Sequence, residues 1–238
     1  MLTVSRAPKW SEEFCTLFTL TINEVKQCIA CGHRERSDVQ HEGPGMMVDV
    51  TRTTPDWNQA ITNFFHRTQA GLHCANCATR NHDVETNIVA APQILRIALQ
   101  IFKQDIIFPD PEEEDGEVTV NRYKVNHTLQ HPDILDLTNH QLHNTFPLQY
   151  KLSSVISHSG PGLKEKGGHY IASVRGPGLT PITCISDERR ERFSQLQFES
   201  NPQTTALSRG NFQVYILTYV REDVALTTKA QLTAAALM

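Results

Sequence analysis

The chain has 238 residues, 22 Lys and Arg against 26 Asp and Glu, a formal net charge of −4, 39% hydrophobic and 20% charged residues. This is the profile of a folded domain rather than a disordered one, without the basic surplus that nucleic acid or an anionic membrane asks of a main partner. No apolar run approaches the ~20 residues of a membrane span.

Phe18, Leu20 and Ile22 alternate with Thr19, Thr21 and Asn23, which predicts a half-buried strand leading into Cys28. Residues 33–53 are mostly polar and read as turn-rich. Thr54-Pro55 predicts a helix cap and a first-turn proline. Trp57, Ala60, Ile61, Phe64 and Phe65 then form an amphipathic stripe, expected to end at Gly71. Leu95, Ile97, Leu99 and Ile101 predict a strand, and residues 109–117 an acidic exposed loop. Further strands are expected around Leu152–Ile156, over Tyr170–Val174 and over Ile182–Ile185. The Arg189, Arg190 and Arg192 cluster, interleaved with Glu188 and Glu191, reads as a solvated turn. Phe212 to Val220 is apolar on both faces, the mark of a central strand. Residues 225–238 read as a short helix or a frayed tail. Many strands and few helices define an α+β fold with a mostly antiparallel sheet.

Two CxxC pairs stand out: Cys28-Ile29-Ala30-Cys31 and Cys74-Ala75-Asn76-Cys77. Thiolates two residues apart on a tight turn can share one tetrahedral ion, so these four cysteines are expected to bind structural zinc with a closed shell. His33, His73 and His82 lie nearby, but a set of four thiolates leaves them unneeded. Gly32 directly after the first pair suggests a knuckle with positive φ. The alternative is four ordinary buried cysteines. The first ten residues hold no secretory h-region. The six cysteines are therefore expected in a reducing compartment, cytosol or nucleus.

A third feature is Ser157-His158-Ser159-Gly160, a Gly/Lys-rich loop, then Gly167-Gly168-His169-Tyr170 opening a strand, with Ser186-Asp187 a hairpin later. Taken in order with both CxxC pairs, Phe14 to Phe18, Pro92 to Ile97, Lys124 to His127, Leu135 to Thr138 and Phe212 to Tyr219, this resembles the ubiquitin-specific proteases. These are the large papain-like class of cysteine deubiquitinases, and the resemblance covers residues 14–221. It implies a hand-shaped fold with zinc-ribbon fingers over about 14–90, a palm over about 91–221, and a tail from 222 to 238. Ubiquitin or its conjugates would be the partner, with nucleic acid and membrane excluded. His169 would be the general base. The segment bearing Gly160, Gly167 and Gly168, with Tyr170 beside it, would line the path of the ubiquitin tail. Ser186 stands where the family usually places an Asn or Asp that orients the imidazole. Asp187 follows it, and the residues leave open which of the two orients the ring.

The family's Gly-Asn-Thr-Cys box, which opens the thumb, has no counterpart here. Outside the zinc set only Cys15 and Cys184 remain, and Cys184 falls in an apolar strand. Two expectations follow. The chain is the C-terminal part of a deubiquitinase whose thumb and nucleophile lie upstream of Met1, or it is a catalytically inactive ubiquitin-binding or scaffold protein.

Overall fold

The structure, a computed structural model, describes residues 17–38, 40–42, 45–108, 118–126, 129–143, 146–160, 168–175, 182–193 and 212–223. Cys15, the acidic 109–117 loop, Gly167, the 176–178 turn and the segment from 225 onward lie outside the described residues.

The larger sheet has the order β14-β13-β12-β11-β15-β7-β4, with β10 on β11. Its strands are β4 (Met46–Asp49), β7 (Ile94–Gln100), β10 (Ile134–Asp136), β11 (Gln149–Ser159), β12 (His169–Arg175), β13 (Ile182–Ser186), β14 (Arg189–Phe193) and β15 (Gln213–Arg221). The doubly apolar run from 212 to 220 does form a central strand, β15, between β11 and β7. Every strand pairing is antiparallel except that of β4 with β7.

The second sheet, in the order β2-β1-β6-β5 with β3 also on β1, is built from β1 (Leu20–Cys28), β2 (Arg34–Arg36), β3 (Gln40–Glu42), β5 (His66–Ala70) and β6 (Asn81–Ala90). A separate ribbon pairs β8 (Phe102–Ile107) with β9 (Thr119–Lys124). Among the described residues no helix is long and apolar enough to cross a membrane. The α+β class and the mostly antiparallel sheet match the sequence expectation.

Among the described residues the single α-helix of regular length, α1 (Trp57–Phe65), buries Trp57, Ala60, Ile61 and Phe65 as the stripe predicts. Its cap is Asp56, not Thr54: the Asp56 carboxylate accepts from the Gln59 amide at 2.8 Å. Thr54 instead accepts from the Thr51 amide at 2.9 Å, closing the preceding turn. The helix also stops at Phe65 rather than Gly71, because residues 66–70 pair with β6. The arginine cluster is likewise no turn. It forms β14, paired with β13, although its three guanidinium side chains are exposed.

One continuous core joins Leu20 and Ile22 of β1 to the helix stripe and to Leu95, Ile97, Leu99, Leu217 and Tyr219 of the large sheet. The two buried tyrosines keep their hydroxyls satisfied: Tyr150 donates to the Pro92 carbonyl at 2.7 Å and Tyr219 to that of Pro132 at 2.8 Å. Both phenols are raised above their ordinary range by burial.

Candidate catalytic histidine and cysteine cluster

At the tip of the smaller sheet two turns repeat one hydrogen-bond pattern. The Gly32 amide donates to the Cys28 carbonyl at 2.9 Å and the Ala78 amide to that of Cys74 at 3.1 Å. The Cys28 amide donates to His33 O and the Cys74 amide to Thr79 O, both at 2.9 Å. Gly32 has φ +70°, as the sequence suggested, and Ala78 takes the same left-handed backbone at φ +60°. The two turns bring all four sulfurs within 4.8 Å of one another. Cys28 Sγ lies 3.5 Å from Cys77 Sγ, and Cys31 Sγ lies 3.7 Å from Cys74 Sγ. A tetrahedron with Zn–S bonds of about 2.3 Å has sulfur–sulfur edges of about 3.8 Å, so this set could hold a metal ion and leave no position open for water. The Thr79 hydroxyl and amide hold the Cys77 thiol down to about 6. His33 and His73 are not in the cluster, and His82, although buried, lies outside it as well.

His169 opens β12 opposite Ser159, the last residue of β11. Its Nε2 lies 2.6 Å from Ser186 Oγ, and its Nδ1 lies 3.9 Å from the Asp187 carboxylate. Ser186 ends β13 and Asp187 begins the turn into β14 at φ +51°, a conformation that Asp tolerates better than most side chains. The His169 side chain is 40% exposed and that of Asp187 81%. The structure therefore brings His169, Ser186 and Asp187 together. With Nε2 donating to the serine hydroxyl, the lone pair of the neutral ring sits on Nδ1, free to accept a proton.

Tyr170 points to the opposite face of β12 and is half exposed. There it meets two rings, and through them a third, that the sequence did not single out as a group. Its ring centroid is 4.6 Å from that of His158 and 6.1 Å from that of Tyr215, and Phe102 packs edge-on against both His158 and Tyr215. The signal was present in the fragment Ser157-His158-Ser159, but the partners come from three other strands. Gly160 leaves β11 at φ +116°. Gly168 is set by close approach: a Cβ there would fall 2.1 Å from His158 Nε2. Cys184 is fully buried in β13, packed with Ile171 and Phe212. Among the described residues no hydrogen bond joins a thiol to the imidazole, whose side-chain partner is Ser186.

An antiparallel sheet that presents a serine-bound imidazole is thus joined to a smaller sheet tipped by four cysteines. The sequence profile of the family described as Ubiquitin carboxyl-terminal hydrolase matches residues 8–219, and the chain belongs to that family. Ubiquitin carboxyl-terminal hydrolase 10 of Saccharomyces cerevisiae is 28% identical over 127 residues, covering 50% of this chain and 14% of the yeast protein. The SAGA DUB module Ubp8/Sgf11/Sus1/Sgf73 bound to ubiquitin aldehyde matches with a TM-score of 0.62 at 18% identity, covering 87% of this chain and 42% of that chain. A yeast SAGA DUB module structure matches with a TM-score of 0.64 at 17% identity, covering 93% of this chain and 46% of that one. These likenesses show the fold. The chain spans under half the length of each of these relatives.

Proposed function

We propose that this chain carries the palm and fingers of a thiol-dependent deubiquitinase, which hydrolyses (iso)peptide bonds at the ubiquitin C-terminus. The observation that carries the reading is the His169–Ser186 pair at the open end of β12. His169 acts as general base toward an attacking thiol and then as general acid toward the leaving amine. Ser186 orients the ring. A hydroxyl bears no charge, so imidazolium gains less from it than from a carboxylate, and Asp187 supplies the nearest negative charge. Gly160, Gly167, Gly168 and Tyr170 line the path of the ubiquitin tail. Cys28, Cys31, Cys74 and Cys77 hold a structural zinc ion that fixes the fingers. The fingers run over about 14–90 and the palm over about 91–221, in a cytosolic or nuclear protein.

The attacking thiol is not among the described residues, since Cys184 is sealed in the core. That observation favours a second reading, a catalytically inactive ubiquitin-binding or scaffold protein. The purified 238-residue chain is expected to bind ubiquitin and to leave a fluorogenic ubiquitin substrate uncleaved. Turnover that disappears in His169→Ala would show that the chain holds its own nucleophile. No binding of ubiquitin would remove both readings. Peptide mapping of the endogenous protein decides between them: peptides upstream of Met1 with a Gly-Asn-Thr-Cys box select the enzyme, and a mature terminus at Met1 selects the binder.

A further inference from the structure

The backbone of His169 is paired on one side only, while its ring meets Ser186 Oγ at 2.6 Å and packs edge-on against Phe212 at 6.0 Å. Its backbone pairs with Ser159 at the end of β11, whereas the pairing of β12 with β13 begins three residues later, at Ala172 with Ile185. The placement of the imidazole therefore depends on what fixes the end of β11. That end is tied from outside the large sheet. Lys124, the last residue of β9, is buried, and its Nζ donates to the His158 carbonyl at 2.9 Å and to the Gly160 carbonyl at 3.4 Å. Among the described residues no carboxylate pairs with this ammonium. Burial lowers its pKa, and burial first, with the Lys124 charge second, lowers that of His158.

The His158 ring lies beside this clamp. It is buried, its Nδ1 has no hydrogen-bond partner among the described residues, and its Nε2 occupies the space a Gly168 side chain would need. Phe102, opposite Lys124 across the β8–β9 ribbon, packs edge-on against the same ring at 5.1 Å. A buried ammonium on two carbonyls is a strong constraint, because charge-assisted hydrogen bonds are roughly twice as strong as neutral ones.

We infer that Lys124 is a positioning residue: the root of the β8–β9 ribbon clamps the end of β11, where the His158 ring leaves room only for glycine at 168, and so fixes His169 against Ser186. Lys124 does not touch the reacting atoms. The inference rests on the reading of His169 as the base, but its test observes the imidazole directly and needs no ubiquitin cleavage.

The test is the imidazole nitrogen NMR signals of His169 in the 238-residue chain, at a pH where the ring is neutral. A ring fixed on Ser186 keeps one tautomer and gives two well-separated nitrogen signals. A released ring exchanges between tautomers and the signals average. Lys124→Met is expected to average them while the amide spectrum of the large sheet stays folded. Gly168→Ala is expected to do the same, and His158→Ala combined with Gly168→Ala to restore the separation, because the methyl group then has room. This coupling is one that independent sites would not show. Separated signals in a folded Lys124→Met chain would overturn the proposal. If that variant does not fold, the Gly168/His158 pair decides, and a double variant still averaged, or a Gly168→Ala chain unchanged, overturns it equally.

Discussion

Ser186 and Asp187 are neighbours in sequence yet address opposite nitrogens of one imidazole, the serine reaching Nε2 at 2.6 Å and the aspartate stopping 3.9 Å from Nδ1. The first distance is a hydrogen bond and the second is an electrostatic contact between well-exposed groups, so the serine sets the ring's orientation. Ser186→Ala is expected to free the His169 ring, seen as averaged imidazole nitrogen signals, with a stability loss of about 1 kcal/mol or less. Asp187→Asn should leave the ring's orientation unchanged. If Asp187→Asn frees the ring and Ser186→Ala does not, the two roles are reversed.

Elemental analysis of the purified chain should give about one zinc per molecule. Because thiolates, not thiols, bind the ion, zinc should be released as the pH falls. Cys31→Ser and Cys77→Ser should each weaken retention and lower thermal stability. A zinc-free preparation with a native amide spectrum would remove the metal reading.

The two cysteine turns make opposite predictions from one backbone shape. Gly32 and Ala78 both sit near φ +65°, but only Ala78 carries a Cβ in that region. Ala78→Gly should stabilise the metal-loaded chain by about 1 kcal/mol, and Gly32→Ala should destabilise it by a similar amount. A Cβ at Gly32 meets nothing within 4 Å, so that loss is one of backbone conformation alone. Thermal melts of the two variants check the pair of signs.

His131, in the segment before β10, is pushed down to about 4 by burial, a shift that the nearby Asp133 carboxylate opposes only in part. The unfolded chain binds a proton near pH 6.5 and the folded chain does not, so this histidine's contribution to stability is complete above about 6.5. It is lost as the pH falls toward 4, by at most about 3 kcal/mol. Denaturant titrations at pH 7 and pH 4.5 should show the loss in the parent chain. The His131→Gln chain should show a smaller one, and an equal loss in both would remove the assignment.

The fold was legible in the sequence where side-chain pattern and burial coincide. Leu95, Leu99 and their neighbours alternate cleanly and are β7; the Trp57 stripe is α1. The missed strands have physical reasons. In β6 the inward positions include His82 and Thr86, both buried, so a polar-looking run hides a regular alternation of His82, Val84, Thr86 and Ile88. β4 is four residues long, lies in a mostly polar stretch of sequence, and exists because β7 pairs with it in parallel. The bulge between Leu152 and Ser154 moves the buried face of β11 from Leu152 to Val155, which breaks the alternation that Leu152, Ser154 and Ile156 suggest. Of the site, the cysteines and His169 were readable from local motifs. The Lys124 clamp was not, because a lysine facing two carbonyls 34 and 36 residues away leaves no local pattern.

Strand β1 begins among the core residues Leu20 and Ile22 and ends at Cys28, after a stretch in which Val25 to Gln27 are no longer fully buried. The smaller sheet is thus a cantilever, rooted in oil at one end and riveted by sulfur at the other, with polar bonds from Arg67 to Glu24 and Thr86 across its middle. Withdrawing the metal would not melt it at once. Amide protection would decay from Cys28 and His82 inward and stop near Ile22 and Ile88, where the apolar root takes the load.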